Sequence, residues 1–396
     1  MDLSCVLLRY YSFLIFHFTF LISPNTMKKT VAFTFIVSIL FVYSSFLFAA
    51  EEAQKPEEKI SWFNTEEWGI EGRGWNEGMA THFCRIPTKA HGVIPDPVWN
   101  LSKQSSGLVV RFKTDATKIL VKHKVTGALA MPHMTAVGTS GLDLYNREDD
   151  GKWYWAGFSK PTTNDYTMPI LDGASKKERE YMLYLPLYNT TESLSIGVPE
   201  GFQFEQIEPM KKKPIFYYGT SIAHGCSSSR PGMNFVAMIG RRFERPAINF
   251  AFSGNGRMEK EMAELIAEVD AAVYVIDCLP NMTQQHVDER AEIFIRRLRE
   301  LKPNTPIVLV EDRTLSNARL LPWWEANHKN KRAAFHAVYE KLVAENMSGL
   351  SYLKGDTLLG TDEEGTIDGS HPNDLGMFRM AESLEPVLRE ALKDAE

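Results

Sequence analysis

Four apolar runs, at residues 215–218, 247–252, 271–278 and 306–310, constrain this chain more than any other feature. Each is nearly continuous rather than alternating, so each reads as a strand buried on both faces. Between them lie segments of helical period: Phe235, Met238 and Ile239, then Met258, Met262, Leu265, Ile266 and Val269, then residues 287–301. Two further helical stretches, 328–346 and 374–392, close the chain. Strands alternating with helices call for a parallel sheet covered on both sides, a three-layer α/β/α domain of flavodoxin-like type. It is expected over residues 212–396, beyond the charged, Pro-stopped junction Lys211-Lys212-Lys213-Pro214.

Upstream of that junction the pattern changes. Strand-like runs at 107–112, 118–123, 141–145, 153–156, 179–185 and 193–196 recur with turn residues between them and no long helical period. Residues 61–208 therefore read as an all-β, jelly-roll-like sandwich. Its aromatics, among them Trp68, Trp75, Trp99, Trp153, Tyr154 and Trp155, suit core and sheet-face packing, with sugar stacking as the alternative. Asp143, flanked by Leu142 and Leu144, is expected to be a buried structural carboxylate with backbone partners.

The start of the chain is different again. Residues 6–23 and 30–50 are almost uncharged, with Met27-Lys28-Lys29 between them. Two lysines, an apolar stretch and Ala49-Ala50 ahead of Glu51-Glu52 are the parts of a secretory signal. Residues 1–50 are thus expected to be a signal-peptide region with its true start at Met27, followed by a flexible leader at 51–60. A two-helix membrane anchor is the alternative, because the spans approach membrane length. On the first reading the protein is secreted or periplasmic in a bacterium, with no stable membrane insertion once the signal is removed. A formal charge of −6 carries no basic footprint, so nucleic acid is not an expected partner. Past the signal region Cys84, Cys226 and Cys278 remain, an odd number that leaves at least one free in an oxidising compartment. A Cys226–Cys278 disulfide is expected near the strand ends, with buried reduced thiols as the alternative.

Parallel strands share one carboxyl rim, and polar or small residues cluster there: Ser221, Gly254, Asn281 and the turn from Glu311 to Arg313. Asp368-Gly369-Ser370-His371 lies just before the last helix. Acyl transfer needs a nucleophile, a base, a group that orients the base and donors for an oxyanion. Ser221 suits the first role, His371 the second and Asp368 the third. The N–H groups of Ser221 and Gly254 and the Asn281 amide suit the fourth. The arrangement is not the α/β-hydrolase elbow, since Ala223 stands where that motif needs glycine. His224 is expected to be solvated in a loop, and Arg230 and Arg313 to pair with Glu311 and Asp312. The ten histidines show no metal-ligand spacing, so neither a metal nor another cofactor is expected.

Gly219-Thr220-Ser221, Gly254 in Ser-Gly-Asn-Gly, Asn281 in Leu-Pro-Asn-Met and Asp368-Gly-Ser-His371 resemble the four blocks of the SGNH hydrolases, also called GDSL esterases. Thr220 departs from the Gly-Asp-Ser form. Gly141-Leu-Asp-Leu-Tyr145 resembles the motif of a β-rich N-terminal domain that accompanies a bacterial subgroup of these esterases. The resemblance implies a metal-free ester hydrolase with Ser221 as nucleophile and Asp368 and His371 as its acid–base pair. It implies Ser221, Gly254 and Asn281 as oxyanion donors. It also implies a small-molecule or polysaccharide ester as substrate, with deacetylation of carbohydrate the leading expectation. A lipase or thioesterase acting on lipid or small acyl esters is the runner-up. A degenerate carbohydrate-binding protein is the reading from another class.

Overall fold

Side-chain burial alternates residue by residue along 118–125, with Ile119, Val121, His123 and Val125 inward and Lys118, Lys122 and Lys124 outward. That period of two belongs to a sheet with one covered face, and it organises the first half of the chain. The computed structural model describes residues 58–393. The expected signal-peptide region and most of the expected leader lie outside the described residues. From Ile60 onward the chain forms one compact unit. Among the described residues no helix is long and apolar enough to cross a membrane.

Nine strands make up the first half: β1 (Ile60–Asn64), β2 (Val109–Thr114), β3 (Lys118–Val125), β4 (Asp143–Arg147), β5 (Trp153–Phe158), β6 (Asp165–Asp172), β7 (Arg179–Tyr184), β8 (Thr191–Pro199) and β9 (Phe204–Ile207). They pair antiparallel in two sheets, in the orders β1-β8-β3-β6 and β5-β4-β7-β2-β9. Apart from β9, added beside β2, this is the strand order of a jelly roll. Ile119, Val121 and Ile196 from one sheet meet Phe112, Leu144 and Leu183 from the other to form its core. Two short helices, α1 (Asp96–Leu101) and α2 (Ala136–Ser140), sit in the connections.

The second half is a parallel sheet of β10 (Ile215–Gly219), β11 (Ala247–Ala251), β12 (Val273–Asp277), β13 (Ile307–Val310) and β14 (Leu350–Leu353), in the order β11-β10-β12-β13-β14. Its helices are α3 (Ser221–His224), α4 (Phe235–Phe243), α5 (Lys260–Ala267), α6 (Gln284–Leu301), α7 (Pro322–Ala344) and α8 (Asp374–Ala391). Alternate strand residues feed separate cores. Phe216, Tyr218, Tyr274 and Ile276 pack with α5, α6 and α7 on one face. Ile215, Tyr217, Val273 and Val275 pack with α4 and α8 on the other. Burial on both faces explains why these strands are apolar throughout.

β11 lies at the sheet edge, where unpaired carbonyls need partners. Arg85, buried and contributed by the first half, supplies them. Its Nη1 donates to the carbonyls of Asn249 (3.0 Å) and Ala251 (2.9 Å), while Nε and Nη2 donate to Gln104 and Leu101. The guanidinium also lies 4.9 Å from the Phe252 ring centroid. One side chain therefore closes the edge and joins it to the jelly-roll half. Replacing Arg85 with Met should destabilise the protein by about 3 kcal/mol or more, since several buried carbonyls lose their donors. Urea denaturation measures it, and an unchanged midpoint would show that the edge does not depend on Arg85.

Candidate active site

Ser221 opens α3, directly after β10. Thr220 is extended, and its hydroxyl accepts from the Ile222 N–H (3.4 Å). Gly225, at φ +111°, ends the helix in the left-handed conformation that glycine adopts without strain. A four-residue helix has almost no stability of its own. Its position comes from neighbours. The Ser221 carbonyl accepts from the Tyr188 hydroxyl (3.2 Å) and from the Cys226 N–H (2.9 Å). The Ala223 carbonyl accepts from the side-chain amides of Asn234 and Asn249, and the His224 carbonyl from the Ser106 hydroxyl.

His224 is not solvated as expected. It is buried, stacks on Tyr188 at 4.3 Å, and its Nε2 donates to the Leu187 carbonyl (2.8 Å). Burial, aided by the positive charge of Arg85, holds its pKa well below the ordinary value, so it is neutral. Ser106, Leu187 and Tyr188 all come from the jelly-roll half, which thus grips the helix that bears Ser221. No local sequence signal announces these long-range contacts.

The Ser221 hydroxyl lies 3.0 Å from His371 Nε2, and His371 Nδ1 lies 2.7 Å from Asp368 Oδ2. The other Asp368 oxygen accepts the backbone N–H groups of Ser370 (2.9 Å) and His371 (2.7 Å). Partial burial raises the Asp368 pKa, but these hydrogen bonds more than offset it and bring the carboxyl down to about 2. An ionised Asp368 draws the imidazole proton to Nδ1 and leaves Nε2 free to accept from the serine.

Gly254 and Asn281 follow β11 and β12, the two neighbours of β10. Gly254 has φ +72°, so its backbone conformation explains the glycine. The space where a Cβ would stand is open. The Ser221 N–H, at the start of a helix, has no carbonyl four residues back to bond. The Asn281 amide nitrogen is buried and has no partner among the described residues. A buried N–H donor without an acceptor is costly, and an arriving oxygen would relieve that cost.

Behind this rim sits a charge network. Asp312, fully buried just past β13, pairs with Arg313, with Lys331 (2.6 Å) and with His328 (2.9 Å). Lys331 Nζ also donates to the Leu279 carbonyl (2.9 Å), in the turn that carries Asn281. Arg313 donates to the backbone carbonyl and the hydroxyl of Ser370, between Asp368 and His371. One carboxylate therefore ties the Asn281 turn to the Asp368–His371 loop. Burial alone would raise its pKa, but Arg313, His328 and Lys331 hold it well below the usual carboxylate range.

Other expected contacts fall elsewhere. Arg313 meets Asp312 as expected, but Arg230 does not. It pairs with Asp143 (2.8 Å) and donates to the Tyr145 hydroxyl (2.6 Å). Asp143 is buried and accepts the Gly232 N–H (2.7 Å), so the β4 motif latches onto the segment between α3 and α4. Cys84, Cys226 and Cys278 are all free, which overturns the expected Cys226–Cys278 disulfide. Cys278 is part of the α5–α7 core. Cys226 belongs to a separate cluster with Met134, Leu187 and Tyr188, with its sulfur 3.0 Å from His133 Nε2. Trp68 and Trp99 are buried in cores, whereas Tyr154 and Trp155 are exposed. The first half also reaches the rim directly, since the His133 ring lies 6.1 Å from that of His371.

This fold and site define an SGNH-type acylhydrolase. The chain belongs to the GDSL-like lipase/acylhydrolase family, which matches residues 212–389, and residues 60–204 match the N-terminus of SGNH-hydrolase-type esterases (GxDLY). It is similar to the crystal structure of a GDSL-like lipase from Bacteroides ovatus ATCC 8483. The two are 36% identical over 85% of this chain and 98% of that one, with a TM-score of 0.81. The salicylyl-acyltransferase SsfX3 of a tetracycline biosynthetic pathway shares the fold at 18% identity, over 87% of this chain and all 100% of that one, with a TM-score of 0.66. A family two carbohydrate esterase from Cellvibrio japonicus shares it at 11% identity, over 85% and 98% of the two chains, with a TM-score of 0.52. No match to a curated protein was found.

Asp312→Asn should cost about 3–5 kcal/mol, because Lys331 and Arg313 lose their buried counter-charge. Asp312 has a lowered folded-state pKa, so its contribution is complete above the unfolded value near 4 and fades as pH falls below it. Denaturation at several pH values should show the wild type ahead at neutral pH, with the gap narrowing in acid. A gap independent of pH would mean that the charge does not stabilise the site.

Proposed function

We propose that the protein is an exported serine esterase that removes acyl groups, acetyl above all, from carbohydrate. The observation that carries this reading is the hydrogen-bonded relay Ser221–His371–Asp368, set beside the unpartnered Asn281 amide. The carbohydrate assignment draws support from a fold shared with carbohydrate esterases and from exposed aromatics near the relay. Export rests on the signal-like sequence at residues 27–50.

In this mechanism Ser221 Oγ attacks the ester carbonyl carbon as its proton passes to His371 Nε2. The carbonyl oxygen becomes an oxyanion that accepts from the Ser221 and Gly254 N–H groups and the Asn281 amide. Asp368 stabilises the imidazolium. Collapse breaks the bond to the sugar oxygen, which takes the proton from His371 and leaves as an alcohol, with acyl-Ser221 remaining. Water then attacks the acyl carbon and gives a proton to His371. The carboxylic acid departs as Ser221 recovers its hydrogen.

Initial rates on 4-nitrophenyl acetate, butyrate, octanoate and dodecanoate test the reading. Activity should be greatest on acetate and absent in Ser221→Ala. In Asn281→Ala, kcat should fall by about 10²–10³-fold. Preference for the octanoate or longer chains would refute the acetyl assignment. Full activity in Ser221→Ala would refute the nucleophile.

A further inference from the structure

A cleft of about 540 Å³ opens beside the relay, and Asn281 and Asp368 both line it. Its volume lies within the range of small-molecule sites. Trp323 and Trp324, at the start of α7, form one wall. They are 68% and 48% exposed, and their rings meet edge to face at 4.9 Å and 81°. Two indoles left in water at the mouth of a catalytic cleft contribute little to the fold and present apolar faces to a ligand.

The remaining lining is mixed, with Pro280, Met282, Leu315 and Leu321 as its apolar part. Thr283, Asn317, Asn327 and Ser370 form its polar part, together with Arg313, His328 and Lys331, the basic partners of Asp312. Asn317 and Asn327 bring two side-chain amides to the cleft. A long acyl chain would meet the apolar part but would also lie against Asn317, Asn327 and the basic side chains. The lining fits a ring with an apolar C–H face and a hydroxyl edge. The cleft is bounded by Asp368 to Ser370, in the loop that also bears His371, the group from which a leaving alcohol would take its proton.

We propose that this cleft is the subsite for the alcohol half of the ester: a pyranose ring stacked on Trp323 or Trp324, its hydroxyls meeting Asn317 and Asn327. The inference rests on the esterase reading of Ser221 and extends it to a substrate class. Trp323→Ala and Trp324→Ala should raise KM for partially acetylated xylo- or cello-oligosaccharides at least tenfold in one or both variants. Their urea-denaturation midpoints should match that of the wild type, which shows that the variants fold. Trp→Phe at the same position should recover most of the loss. In parallel, Ser221→Ala should bind the unacetylated oligosaccharides in calorimetry, and adding either Trp→Ala change should weaken that binding. Oligosaccharide kinetics and binding indifferent to both tryptophans would overturn the subsite while leaving the esterase reading intact. Losses matched by an equal fall in the denaturation midpoint would overturn the subsite as well, because the indoles would then act through the fold. Aryl-acetate hydrolysis that does not need Ser221 would overturn the esterase reading itself, and calorimetry would still report on the cleft.

Discussion

A serine on a four-residue helix must be held by something else, and the rest of the molecule is arranged to do that. α3 cannot persist on its own hydrogen bonds. Its first carbonyl is held by Tyr188, its third by Asn234 and Asn249, and its last by Ser106. Two of these donors, Tyr188 and Ser106, belong to the jelly-roll half. Arg85 from the same half closes the β11 edge next to β10. The jelly roll is thus part of the scaffold of the site, and its β4 motif adds a second latch through Asp143 and Gly232.

The opposite side of the rim follows a different logic. There the parts to be aligned are two loops, one bearing Asn281 and the other Asp368 and His371. A buried carboxylate with three basic partners is costly to desolvate and stabilises only where its geometry is complete. Asp312 reaches one loop through Lys331 and the other through Arg313. The outcome is a fixed frame for groups that, on the proposed mechanism, must act on one carbonyl at once.

How much of this is legible in the sequence depends on how local each signal is. The continuous apolar runs mark β10 to β13 because both faces of each are buried. The polar residues at their ends mark the rim, and the close spacing of Asp368 and His371 puts them on one loop. β14 carries no comparable run, since its four residues are only half-buried at the sheet edge. α7 starts at Pro322, ahead of the helical period that begins at residue 328, because its first turn faces solvent and the cleft rather than a core. The Trp323-Trp324 pair therefore gives no periodic signal, and the aromatics that stand out for stacking are those of the jelly roll. His224 and the cysteines depart from expectation for another reason. Chain position says which residues neighbour a strand end, but not which of two cores a side chain enters.

Labelling by an alkyl fluorophosphonate tests the central claim most directly, because it reads the nucleophile without assuming a substrate. The serine oxygen forms a bond to phosphorus as fluoride leaves and the hydroxyl proton passes to His371. The account predicts one label per chain, on the peptide that contains Ser221, absent from Ser221→Ala and much slower to form in His371→Ala. A label on another residue, or undiminished labelling of Ser221→Ala, would contradict it.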